Sequence, residues 1–263
     1  MTPQAILSHY DQGTLWPDER TVPADLPAAY QLALQLRALR EARGEHVVGY
    51  KIGFTNRTIW ERYQVFAPIW GPVWNTTVSQ CDGHGSIDLA GTSLPRLEPE
   101  LVFGLARTPP EQPTVAQVFD CIGWIAAGFE VVQSHCTDWR FTAAETIADG
   151  ALHARLLVGR QRPVRELAAN AGELDTLLAA AQLALFHQGV CMDGGSGASV
   201  LDSPLQALKH FIHEFQRLPQ TAQLMPGDVV TTGTWTDAWA VQAGESWQLK
   251  FDIGIGALTV EFR

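Results

Sequence analysis

The chain has 263 residues, of which 46% are hydrophobic and 17% charged, and its formal net charge is −10. That length buries a sizeable core as one large domain or two small ones, while the acidic balance and the absence of a Lys/Arg stripe exclude nucleic acid and anionic membrane as partners. Four cysteines without C-x-x-C spacing argue against zinc ribbons and dithiol chemistry, and with neither a leader-like start nor a membrane-length apolar run a cytoplasmic protein is expected.

Helical periodicity comes first in the chain. Asp25 and Pro27 read as a cap and an early-turn proline for a helix through Tyr30, Leu32, Leu34, Leu36 and Leu39 to about Arg43, ended by Gly44. Val47 to Gly53 reads as a short strand, and Arg57 to Tyr63 as a second helix. From about Val78 the texture changes to short strands punctuated by glycine and proline. Leu97 to Leu105 is one strand and Phe129 to Gln133 another, with an amphipathic helix predicted between them over Thr114 to Ala127. Leu183 to His187 and Val190 to Met192 flank Gln188-Gly189 as a hairpin. Ser203-Pro204 opens a helix bearing Leu205, Leu208, Phe211, Ile212, Phe215 and Leu218, and strands follow over Asp228 to Thr234, Trp247 to Ile253 and Leu258 to Phe262.

Strand-dominated sequence with a few helices does not alternate as βαβ units do. The expectation is an α+β chain, a small helical N-terminal part followed by a rolled mixed sheet, dividing into residues 1–77 and 78–263.

Three carboxylates and one lysine carry the chemical interest. In Leu97-Glu98-Pro99-Glu100-Leu101 the glutamates are two apart on a strand and project on one face. Like charges that close repel unless a cation lies between them, and a hard divalent ion suits oxygen ligands; a solvated strand end is the plain alternative. Glu130 sits inside the apolar Phe129-Glu130-Val131-Val132, where it calls for a cation or an arginine such as Arg96 or Arg140. Lys51, in Gly49-Tyr50-Lys51-Ile52-Gly53, reads either as a carboxylate anchor or acid–base group, or as an edge lysine with its head in water.

Gly49-Tyr50-Lys51-Ile52-Gly53-Phe54-Thr55, Leu97-Glu98-Pro99-Glu100, Glu130 and Gly227-Asp228-Val229-Val230-Thr231-Thr232-Gly233-Thr234 occur in one order. That order resembles the 2-keto-4-pentenoate hydratase and 4-oxalocrotonate decarboxylase branch of the fumarylacetoacetate hydrolase superfamily, over nearly the whole chain. Lys51 precedes the paired glutamates, which favours this branch over the carbon–carbon hydrolases. The resemblance implies a catalytic β-roll of that superfamily's type over 78–263, preceded by an N-terminal α/β cap region. It implies that Glu98, Glu100 and Glu130 bind Mg²⁺ or Mn²⁺, which chelates the carboxylate and 2-oxo oxygens of a small 2-oxo acid. Lys51 then contacts a substrate carboxylate or enolate oxygen, and Thr232, Gly233 and Thr234 line the pocket. A Lewis acid on the 2-oxo group stabilises an enolate, which serves water addition or loss of CO₂.

Departures from the pattern fall on acidic positions. Pro68-Ile69-Trp70-Gly71 lacks the aspartate of Pro-Asp-Tyr-Gly, and Trp74-Asn75-Thr76-Thr77 lacks the following acid. Glu145-Thr146-Ile147-Ala148-Asp149-Gly150-Ala151 loses an asparagine but keeps Asp149, which the resemblance makes a catalytic candidate, and Gln133 replaces an aspartate. His153 is a candidate replacement acid or base, or a satisfied core histidine. Trp70 and Trp74 read as core or as pocket wall narrowing the site. His210 and His213 read as a solvated helix face, and Gly194-Gly195-Ser196-Gly197 as a tight turn near the substrate. The reading is a metal-dependent lyase of the hydratase type, with decarboxylation of a 2-oxo-enedioate as the second reaction. Carbon–carbon hydrolysis with Glu61 or His153 as base, and a non-catalytic partner subunit, are the further alternatives. A homo-oligomer, a dimer or larger, is expected, with association to a sibling pathway enzyme as an option.

Overall fold

The computed structural model describes residues 1–63, 65–218 and 223–263. Its helices are α1 (Pro3–Gln12), α2 (Leu26–Ala42), α3 (Trp60–Tyr63), α4 (Val115–Cys121), α5 (Ala143–Ala148), α6 (Ala171–Ala180) and α7 (Pro204–Arg217). The strands run β1 (Val47–Gly53), β2 (Ile69–Trp74), β3 (Val78–Gln80), β4 (His84–Ile87), β5 (Arg96–Leu105), β6 (Ile122–Val132) and β7 (His153–Val158). They continue as β8 (Arg162–Pro163), β9 (Gln182–His187), β10 (Val190–Ser196), β11 (Val229–Thr231), β12 (Trp239–Ala240), β13 (Ser246–Phe251) and β14 (Ala257–Phe262).

Side-chain caps start most of the helices. The Asp25 carboxylate accepts from the Ala28 amide, with Pro27 in the first turn, so α2 begins where the sequence predicts. Thr114–Gln117 and Thr142–Glu145 form reciprocal capping boxes ahead of α4 and α5. Ser203 caps α7, whose Leu205, Leu208, Phe211, Ile212 and Phe215 are buried. Each such side chain taken out of water contributes roughly 1.5–3 kcal/mol.

Among the described residues, nine strands form one mixed sheet in the order β2-β1-β11-β5-β6-β7-β3, with β12 on β5 and β8 on β6. Five form a second sheet, β10-β9-β13-β14-β4. The main core includes Leu101 and Phe103 of β5, Phe129 of β6, Phe211 of α7 and Leu249 of β13. On β5 the intervening Val102 joins a second cluster with Val73, Ala126, Leu156 and Val229, so both faces of this central strand are covered. Hence the apolar run around the paired glutamates.

Three sequence expectations need correction. The helix predicted over Thr114 to Ala127 ends at Cys121, and Ile122 to Val132 is a single long strand. Ile122 continues the helical spacing of Val115, Val118 and Phe119 by coincidence; its backbone is extended, and β6 pairs with β5 from Arg96 to Leu105. Long-range pairing overrides the helical preference of Ala126 and Ala127. The strand expected from Asp228 to Thr234 is only Val229–Thr231, because the chain turns at Gly233. Gly194-Gly195-Ser196 is the end of β10 and not a turn, paired with Ala184, Leu183 and Gln182. A Cβ at Gly195 would lie 1.9 Å from the Trp235 carbonyl oxygen, which explains the missing side chain.

Candidate metal centre

Glu98 and Glu100 alternate with Leu97, Pro99 and Leu101 on β5, and Glu98 lies directly opposite Glu130 on β6. Alternation and register thus bring the three carboxylates to one face. Glu100 and Glu130 are fully buried, whereas the Glu98 side chain keeps 15% of its surface exposed. Among the described residues this is the one group of acidic, histidine or cysteine side chains that could hold a metal, each offering an oxygen within 4.8 Å of the others.

Neighbouring elements complete the site. Between β1 and β5 lies only the three-residue β11, and beyond its end at Thr231 the chain swings out at Gly233, φ 92°. The Gly233 amide donates to Glu100 Oε2 at 2.6 Å, and a Cβ there would lie 2.0 Å from Thr55 Oγ1. Lys51 of β1 places Nζ 3.2 Å from Glu130 Oε2 and 3.9 Å from Glu98 Oε2. Behind the carboxylates, His153 Nδ1 is 2.8 Å from Glu130 Oε1, and His153 Nε2 is 2.8 Å from Thr77 Oγ1.

Burial pushes Glu98 up to about 7, with Lys51 opposing and Glu130 adding to the rise. Glu100 is driven well above the usual carboxylate range by burial and by Glu130. Glu130 faces the same burial but is held below that range by Lys51 and the His153 hydrogen bond. On Lys51, burial favours the neutral amine, yet Glu130, Glu98 and Glu100 override it and keep the ammonium above its ordinary range. One cation thus sits among three crowded carboxylates, an arrangement short of positive charge.

Two buried oxygens, Glu100 Oε1 and Glu130 Oε2, lack a hydrogen-bond partner, although the Lys51 ammonium stands beside the second. Buried carboxylate oxygens left this way are costly unless a cation takes them. Two orphaned oxygens and the part-exposed Glu98 make a hard donor set that fits Mg²⁺ or Mn²⁺.

The site opens into a cleft of about 500 Å³ lined by Lys51, Glu98, Gly233 and Thr234. Ile69, Leu152, Trp139 and Phe141 form apolar wall, and Thr55, Asn56, Thr146 and Asp193 polar wall. Arg96 also borders it, its guanidinium 4.2 Å from the centre of the Trp139 ring. Ile69 stands where the resemblance expects an acid, so that wall carries no proton donor.

The other expected residues lie elsewhere. Thr232 is buried and turns its hydroxyl to the Leu101 carbonyl at 3.1 Å, away from the cleft. Trp70 alternates with Ile69 on β2 and so faces the opposite way, among Tyr30, Tyr50, Phe211 and Phe215. Trp74 stacks on the Arg40 guanidinium at 4.3 Å. Asp149 is buried against His135, 2.6 Å from its Nδ1, and does not border the cleft. His153 does not border it either; it lines a separate cleft with Arg40, Arg43 and Arg155. Gln133 receives the Ser93 amide and Asn75 the His46 amide, both structural contacts. Glu61 is exposed on α3, and His213 hydrogen-bonds the Pro113 carbonyl at 2.9 Å. Thr55 and Thr146 lie inside the family-like segments but were not singled out as site residues, and sequence reasoning missed Trp139 and Phe141, which no quoted segment contains, and the part played by Thr77.

Residues 71–263 match the family model described as fumarylacetoacetate (FAA) hydrolase C-terminal. The chain is 31% identical over 252 residues to 2-keto-4-pentenoate hydratase of Burkholderia vietnamiensis, covering 95% of this chain and 91% of that one. It is 28% identical over 218 residues to a 4-oxalocrotonate decarboxylase of a Pseudomonas species, covering 83% and 80% respectively. Its fold is similar to that of 4-oxalocrotonate decarboxylase from Pseudomonas putida G7 complexed with magnesium and adipate, with a TM-score of 0.85 at 22% identity, covering 99% of this chain and 95% of that one.

Proposed function

The chain belongs to the fumarylacetoacetate hydrolase family, and from that premise we propose that it is a divalent-metal-dependent lyase of the hydratase type, acting on a small 2-oxo acid or its dienol. One observation carries the reading: two buried carboxylate oxygens without hydrogen-bond partners converge with Glu98 beside a charged lysine, at the base of an open cleft. Glu98, Glu100 and Glu130 are the ligands in this reading, and Mg²⁺ or Mn²⁺ the ion. Bound there, the ion supplies Lewis-acid polarisation of a 2-oxo group.

The residues of the chain supply the rest. Lys51 presents its ammonium to a substrate carboxylate or enolate oxygen, held in place by Glu130 and Glu98. Gly233 keeps Glu100 oriented. Ile69, Trp139 and Phe141 exclude water from the carbon tail. In the proposed division into a cap region 1–77 and a catalytic roll 78–263, β1 and β2 of the first part are built into the sheet of the second, and through them Lys51 reaches the ligands.

Incubation with Mn²⁺ and 2-hydroxypenta-2,4-dienoate or a longer dienol tests the proposal, with ultraviolet absorbance and CO₂ followed together. Loss of the dienol absorbance without CO₂ is the expected result. CO₂ from a 2-oxo-enedioate would instead select the decarboxylase, the reading favoured by the 28% identity to that Pseudomonas enzyme. Intact metal binding with no turnover of any such acid would leave a binding subunit. A cytoplasmic homo-oligomer, a dimer or larger, completes the proposal, with a sibling pathway enzyme as a candidate associate. Among the described residues no helix is long and apolar enough to cross a membrane. Exposed Val190 and Met192 on the β10 edge strand support a subunit contact.

A further inference from the structure

Resting on the metal-centre reading above, we infer that His153, seated on Thr77, is a positioning residue that makes Glu130 a one-oxygen ligand and so sets the preference of the site for a small octahedral ion over Ca²⁺.

A bulge in the β6–β7 ladder sets the geometry. Val131 faces Arg155 and Val132 faces His153, so Ala154 is passed over. Such a bulge re-aims the side chains beside it, and here it brings the His153 ring against the back of Glu130, 2.8 Å from Oε1. A carboxylate can only accept, so Nδ1 carries the proton and donates it. Oε1 is thereby occupied from behind, and Oε2 is turned toward Lys51, Glu98 and Glu100.

Thr77 fixes the other end of the ring. Its Oγ1 lies 2.8 Å from Nε2, and the same hydroxyl receives the Trp74 amide at 3.1 Å in the turn that closes β2. The imidazole is held at both nitrogens and is 3% exposed. It cannot swing into the 500 Å³ cleft, which it does not border. His153 therefore acts on the site through Glu130 and not on substrate.

Glu100 is arranged the same way, with Oε2 taken by the Gly233 amide and Oε1 free. Two carboxylates that each present one oxygen leave open positions in a six-coordinate shell. Mg²⁺ and Mn²⁺ suit that shell, whereas Ca²⁺ gains from two-oxygen carboxylates and higher coordination. A protein donor behind a ligand also strengthens it, and loss of one typically weakens metal binding about 10–100-fold.

Calorimetric titration of Mn²⁺ and of Ca²⁺ into wild type, His153→Leu, His153→Asn and Thr77→Val tests this, with melting curves on each. His153→Leu is expected to bind Mn²⁺ about 10–100-fold more weakly and to lose much less affinity for Ca²⁺, so that the Mn²⁺/Ca²⁺ ratio falls. The amide of His153→Asn mimics Nδ1–H and should recover most of the Mn²⁺ affinity. If the leucine variant does not fold, Thr77→Val carries the test, with a smaller fall in the same ratio. Unchanged Mn²⁺ affinity and ratio in a folded variant would overturn the inference alone. A wild-type protein that binds no Mn²⁺ would overturn the metal centre as well.

Discussion

Glu100 gives one carboxylate oxygen to the Gly233 amide, 2.6 Å away, and keeps the other buried without a partner. The bond ties the turn after β11 to the strand bearing the paired glutamates, so the two cannot move independently.

Gly233→Ala is expected to damage both. The residue has φ 92°, and the added Cβ would lie 2.0 Å from Thr55 Oγ1. Strain in the left-handed region alone costs about 1–2 kcal/mol, so urea unfolding should show at least that loss. Mn²⁺ affinity should fall with it. A variant as stable as wild type would mean that the turn is not built as described.

Lys51→Met separates ion binding from turnover. Removing the ammonium takes away a cation 3.2 Å from Glu130, so Mn²⁺ binding should be retained or tightened. Turnover should fall by at least about 100-fold, the usual loss for one transition-state charge donor. Equal loss of binding and turnover would place Lys51 among the groups that build the metal site.

Acid stability should depend on Glu45. Although burial raises its pKa, hydrogen bonds from Arg40 and Thr76 outweigh that and hold the carboxyl at about 2. Because the folded value is depressed, the contribution is full above the unfolded value of roughly 4.3 and is lost as pH falls toward the folded one. The melting-temperature difference between wild type and Glu45→Gln should therefore shrink between about pH 5 and pH 2. A constant difference would contradict the pairing.

Trp70 offers a test of core against pocket. Its ring lies 4.7 Å from that of Tyr30 and 4.9 Å from that of Phe215. Trp70→Ala should cost about 3–5 kcal/mol of stability, while Trp70→Phe should leave KM for any substrate within about twofold, as expected of a side chain away from the ligand. A large KM change in the phenylalanine variant would return Trp70 to the pocket wall.

Much of the centre was legible because strand alternation is a local rule. Glu98 and Glu100 share a face by spacing, and a buried Glu130 demanded a cation. The order of Lys51, the paired glutamates and Glu130 supplied the family. What escaped depended on long-range register. The start of β6 at Ile122 is set by pairing with β5, which no local window over Thr114 to Ala127 contains. Trp70 faces away because Ile69 takes the cleft side, a choice of face that a two-residue reading leaves open. His153 stands behind Glu130 because a bulge skips Ala154, and Asp149 turns to His135 through a fold-level contact. Both were read as catalytic candidates from their place in or beside a family-like segment.

Whether the three glutamates bind a metal is decided by a Mn²⁺ titration of the metal-stripped protein beside Glu130→Gln and Glu98→Gln, read by calorimetry. Three converging carboxylates predict one ion per chain for wild type, and affinity reduced by at least about 100-fold in either variant, as expected when a charged ligand of such a site becomes neutral. Wild-type affinity in a folded Glu130→Gln protein would contradict the metal site.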